Sequence, residues 1–123
     1  MKRDIRIVNT SQNHRPSVQA QYCASFICRL RGLMFRRSLD INEGLLLVQP
    51  RDSRLDSSIH MFAVFMNLCV IWINSDWKIV DKVLAKAWYP IYIPKKPAMY
   101  VLEIHPDHFD NYAIGDHLDH KDN

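Results

Sequence analysis

Between Ile59 and Ile73 the chain runs fifteen residues without one Lys, Arg, Asp or Glu. Leaving so long an apolar run in water forfeits its burial energy, so the fold must be arranged around it. The run is too short to cross a bilayer. Its longest apolar part, Met61 to Ile73, is broken by Asn67 and falls short of the roughly 20 residues a membrane helix needs. Its β-branched and aromatic content favours strands over helix. It reads as two strands, Ile59 to Met66 and Leu68 to Ile73, joined near Asn67. Neither alternates cleanly, as expected of strands buried on both faces.

The rest of the chain supplies partners for that centre. Ile5 and Ile7 alternate with polar neighbours, as do Val18, Ala20 and Tyr22, giving two early strands. Asn9 to Pro16 is a turn between them. Ser25 is placed to cap a helix over residues 26–35. In it Phe26, Ile27, Leu30, Leu33 and Met34 recur at helical spacing, with the arginines mostly opposite. Leu45 to Val48 reads as a buried strand closed by Pro50, Lys78 to Leu84 as the return of a hairpin, and Met99 to Ile104 as a further strand. Trp88 to Pro97 holds three prolines, which cannot donate to a ladder, so this is an extended or edge segment. His105 to Asp107 starts a turn. A short last strand follows Gly115-Asp116, with residues 119–123 a frayed tail.

Strands without βα alternation imply an antiparallel rather than a parallel sheet. The expected fold is mainly β: one domain over residues 1–123, a small antiparallel barrel or sandwich of about seven or eight short strands with one helix near residues 26–35.

Charge and cysteine usage narrow the function classes. The net charge of +3 divides into +5 over residues 1–61 and −2 over residues 62–123. Arg29, Arg31, Arg36 and Arg37 crowd the helix region, but only Phe26 and Phe35 lie near them in sequence as stacking rings. A solvated basic face is therefore preferred to a nucleic-acid surface. Cys23, Cys28 and Cys69 are odd in number and form no CxxC pair, which argues against a disulfide framework and a structural zinc site. Free thiols, together with an N-terminus lacking the apolar core of a secretory signal, lead to a cytoplasmic expectation. Three glycines, Gly32, Gly44 and Gly115, leave no phosphate-cradling loop and no nucleophile elbow.

Arg31-Gly32-Leu33-Met34, Gly44-Leu45-Leu46-Leu47, Ser58-Ile59-His60, Val101-Leu102-Glu103 and Gly115-Asp116 follow one another in a distinctive order. In this order the chain resembles the bacterial and archaeal family called domain of unknown function 192, over roughly Ile5 to Leu118. The resemblance implies a small, mainly β domain with a helix near the Gly-Leu-Met motif, and it implies no established activity, substrate or cofactor. The chain departs from the family at three places. Many members have Asp where Cys69 stands and Gly where Trp77 stands, and a small residue with Gly where this chain has His105-Pro106-Asp107. With Cys69 the carboxylate that those members carry at this position is absent, and Trp77 implies a turn without a glycine-only conformation.

Five positions are candidates for binding or chemistry. His60 heads the apolar run and needs a polar partner, whether structural or functional. Glu103 lies in an apolar strand and must be paired or solvated. An ion pair to Arg29 or Arg31 is the favoured reading, and a pocket the other. Trp88 and Tyr92 belong to the proline-rich segment, which suits either a ligand groove or a packed edge. Asp116 forms a turn with Gly115 and is also a possible acid–base partner of His60. The histidines His105, His108, His117 and His120 fit no tetrahedral spacing, so neither a metal nor another cofactor is expected. Cys69 reads as inert packing.

The functional expectation is a small non-enzymatic module that binds a small molecule or a protein, with no membrane and with nucleic acid disfavoured. The alternatives are a small enzyme pairing His60 with Glu103 or Asp116, and weak nucleic-acid binding by the basic helix.

Overall fold

A computed structural model of the chain describes residues 3–122. Seven strands form one sheet: β1 (Asp4–Asn9), β2 (Val18–Cys23), β3 (Glu43–Ser53), β4 (Leu68–Ile73), β5 (Ile79–Ala85), β6 (Ala98–Ile104) and β7 (Leu118–Asp122). Their order is β5-β4-β6-β3-β2-β1-β7. One α-helix, α1 (Phe26–Arg31), and two short 3-10 turns complete the regular structure. The protein is mainly β. The sheet is mixed rather than antiparallel, because β2 and β3 run parallel with Gln19 opposite Glu43 and Cys23 opposite Leu47. The chain between them supplies the crossover that a parallel pair requires.

The apolar run explains the centre of the sheet but only half as expected. Leu68 to Ile73 is β4, all six residues buried, pairing with β5 on one side and β6 on the other. Residues 59–66 form no strand. Their backbone groups pair instead with two neighbouring loops. Ile59 and Tyr92 exchange N–H···O bonds, Met61 exchanges bonds with Tyr89 and Trp88, and Phe35 N–H donates to the Ala63 carbonyl. Ala63 also takes a left-handed φ of 57°, which no strand continues through.

The centre of the sheet is buried on both faces, whereas β1 buries alternate residues and β7 only Leu118. One face gathers Ile5, Ile7, Leu46, Ile71, Leu102 and Ile104. The other gathers Leu45, Leu47, Met61, Val70, Trp72 and Val101 beneath the 59–66 segment. The helix is shorter than its apolar spacing predicts and stops at Gly32, whose φ of +50° favours glycine. No α1 residue is buried, so Phe26, Ile27 and Leu30 do not pack into the core as the spacing suggests.

Two further expectations are corrected. Cys23 and Cys28 form a disulfide joining the end of β2 to α1, and only Cys69 is a buried free thiol. The cysteine argument for a reducing compartment thereby falls. Residues 119–122 are not frayed but pair with β1, His120 opposite Ile7 and Asp122 opposite Ile5, while Asn123 lies outside the described residues. At the hairpin, Trp77 itself takes the left-handed conformation, with φ 60°. No helix among the described residues is long and apolar enough to cross a membrane.

Candidate functional site

Period-2 geometry carries two polar side chains into the apolar face beneath α1. Glu103 on β6 lies opposite Leu45 of β3 and Val70 of β4, so it projects with those residues. Gln49 follows Leu45 and Leu47 in the same phase along β3. Both line a pocket of about 330 Å³ whose walls come from α1, Gly32 and residues 58–60. Glu103 is 4% exposed and Gln49 6%. Neither side chain has a hydrogen-bond or ionic partner among the described residues.

Glu103 meets the α1 end closely. A Cβ built on Gly32 would lie 3.6 Å from Glu103 Oε1, so the glycine both permits the turn and leaves room at the carboxyl. The expected ion pair does not form. Arg29 Nη1 donates to the carbonyls of Ala24, at 3.1 Å, and Val48, at 3.0 Å, and Arg31 has no side-chain partner among the described residues. Burial without compensation pushes the Glu103 carboxyl up to about 7.

His60 lines the same pocket, but both its ring nitrogens are engaged by backbone. Nε2 lies 3.1 Å from the Leu30 carbonyl and Nδ1 accepts from the Phe62 N–H at 3.1 Å. That pattern fixes the Nε2–H tautomer. His60 thereby ties α1 to the 59–66 segment. The 57–60 strip is held in turn by Trp72, whose indole N–H donates to the Ser57 carbonyl at 2.7 Å.

The other candidates lie elsewhere. Asp116 Oδ2 accepts from Asn9 Nδ2 and Gln12 Nε2, each at 2.8 Å, and from the Ala113 N–H at 2.9 Å. Partial burial opposes ionisation there, but these bonds outweigh it and hold the carboxyl below its usual range. Asp116 is thus a turn anchor outside the pocket. Trp88 makes edge-to-face contacts with Phe62, at 5.4 Å, and Phe65, at 5.5 Å. Tyr92 stacks on Tyr89, and its hydroxyl accepts the Lys86 N–H. Neither lines the Glu103 pocket. Burial pushes the Cys69 thiol up to about 12, as suits packing rather than chemistry. No group of three or more metal-ligating side chains occurs among the described residues.

Gln49 was hidden at the sequence level by the apolar run it ends. The available signal is its phase: it stands two residues beyond Leu47 and four beyond Leu45 on one strand.

Residues 7–120 match the profile of DUF192, described as "Uncharacterized ACR". The chain belongs to this family. Among curated relatives it is 35% identical over 97 residues to UPF0127 protein TK1120 of Thermococcus kodakarensis, covering 79% of this chain and 60% of that protein. It is 37% identical over 97 residues to a UPF0127 protein of Thermococcus gammatolerans, covering 79% and 61%. The chain therefore spans about three fifths of the length of these two relatives. Among solved structures, a Sinorhizobium meliloti protein provisionally described as a transcription regulator superposes with a TM-score of 0.85 at 22% identity, covering 98% of this chain and 94% of that one. A Novosphingobium aromaticivorans protein of unknown function gives a TM-score of 0.81 at 19% identity, covering 94% and 83%. Both share the fold. None of these DUF192 relatives or structural neighbours brings an established function.

Proposed function

We propose that this DUF192 chain is a non-enzymatic module that binds a small polar molecule in the pocket between α1 and the sheet. The observation that carries this reading is the pairing of Glu103 and Gln49. Both side chains are nearly buried and lack protein partners, yet neither is sealed off from the pocket, so their polar atoms are presented to whatever occupies it. A ligand presenting both a hydrogen-bond donor and an acceptor would satisfy the carboxyl and the amide together, while Leu33, Leu47 and Val64 supply apolar walls. A barrel-like curl of the sheet is consistent with the bridge between Lys78 and His117, which precede the two edge strands β5 and β7.

The acid–base alternative has less support. The carboxyl of Glu103 suits proton transfer near neutral pH. However, both nitrogens of His60 are committed to backbone, and Asp116 anchors a distant turn.

A screen of neutral polar fragments by amide-detected NMR tests the proposal. Hits are expected to shift Gly32, Gln49 and Glu103 and to weaken at least tenfold in Glu103→Gln or Gln49→Leu. Hits that ignore both substitutions, or that cluster away from α1, would sink it.

A further inference from the structure

We propose that the open groove beside this pocket docks an acidic, amphipathic segment of a partner protein. The groove, of about 540 Å³, is lined by Ile27, Leu30, Met34, Phe35 and Phe62 together with Arg31. It continues over Phe62 onto Trp88 and Phe65 through the edge-to-face ring contacts. Ile27, Leu30, Phe35, Phe62, Phe65 and Trp88 are each between 40% and 69% exposed. A contiguous apolar patch of this kind, left in water on an otherwise well-buried fold, marks an interaction surface.

Charge selects the occupant. Three chain segments build the patch: residues 26–37, 60–66 and 86–93. Together they carry Arg29, Arg31, Arg36, Arg37 and Lys86 and contain no Asp or Glu. Arg36 is neutralised by Glu43 at 2.9 Å, and Arg29 is spent on backbone carbonyls. Arg37 lies 4.8 Å over the Phe65 ring without an acidic partner, and Arg31 and Lys86 have no side-chain partner among the described residues. An apolar centre with an uncompensated cationic rim is complementary to a segment whose aliphatic or aromatic anchors alternate with Asp and Glu.

Other occupants fit less well. In a symmetric pair of copies the rim charges of both patches would all be positive and would repel. Nucleic-acid bases need free ring faces, whereas the edge-to-face contacts and the Arg37 guanidinium already cover part of them.

The test is fluorescence anisotropy of the intact protein. The probe is a labelled peptide of about twelve residues, rich in Glu and Asp, with Leu and Trp at helical i, i+4, i+7 spacing. Saturable binding is expected, weakened at least tenfold in Arg31→Glu/Arg37→Glu and again in Trp88→Ala. Both changes are at exposed side chains, and circular dichroism verifies the fold. The same peptide with Lys for every acidic residue is expected not to bind. Equal binding of the Lys peptide, or indifference to the double charge reversal in a folded variant, would overturn the proposal. So would tighter binding of a single-stranded oligonucleotide or of anionic phosphatidylserine vesicles, or concentration-dependent dimerisation that occludes the peptide.

Discussion

At Trp77 two opposing effects meet in one side chain. Its φ of 60° lies where a residue other than glycine carries a cost of about 1–2 kcal/mol. Its indole is stacked between Tyr100, at 4.1 Å, and His120, at 4.3 Å, and each such ring pair contributes about 0.5–1.5 kcal/mol. The stack offsets the backbone cost. Trp77→Ala loses the stack and keeps the strain, whereas Trp77→Gly loses the stack and relieves it. Equilibrium denaturation is therefore expected to show Trp77→Gly more stable than Trp77→Ala by about 1 kcal/mol; the reverse order would contradict this account. The same scale shows what the sequence can reveal. A lone carboxylate in the apolar run Tyr100 to Ile104 identifies Glu103 as unusual without a fold. Whether Arg29 reaches it depends on where α1 lies, and α1 directs that guanidinium to Val48 instead.

At the scale of elements, α1 is held by a few tethers rather than by burial. It buries no residue. Its tethers are the Cys23–Cys28 disulfide, the Ser25 cap on the Cys28 N–H, Arg29 to backbone carbonyls, and the Leu30 carbonyl against His60. Opening the short disulfide loop is expected to cost about 2 kcal/mol. Treatment with a dithiol reductant, or Cys28→Ser, should speed amide exchange in α1 and at Gly32 while leaving β4 protected. Unchanged exchange at Arg29 and Gly32 would show that the disulfide does not hold the helix. Strand positions were legible because period-2 and apolar-run signals are local, and β1, β2, β4, β5 and β6 fall close to them. The parallel pairing of β2 with β3 and the fate of residues 59–66 were not, because both are decided by partners far away in sequence. The exposed face of α1 misled for a related reason: its helical apolar spacing serves the open groove rather than the core.

Across the whole molecule, a sheet whose centre is covered on both faces leaves few places there for an unpaired charge, and Glu103 occupies one. Its folded carboxyl titrates near 7 against an ordinary value near 4.5. The folded state therefore holds its proton more tightly than the unfolded state. The associated stability is fully present below pH 4.5 and is lost as pH rises through about 7, a change of about 3 kcal/mol. Asp116 has the opposite sign, gaining stability as pH rises through the lower carboxylate range, so the Glu103 contribution is isolated by subtracting a variant. The decisive measurement is the unfolding free energy of the protein and of Glu103→Gln from pH 4.5 to 8. The expected result is that the advantage of the native carboxyl over glutamine falls by about 3 kcal/mol across that range and levels off above it. Parallel pH profiles for the two proteins would mean that Glu103 is already satisfied in the fold, and the case for a ligand in its pocket would fail.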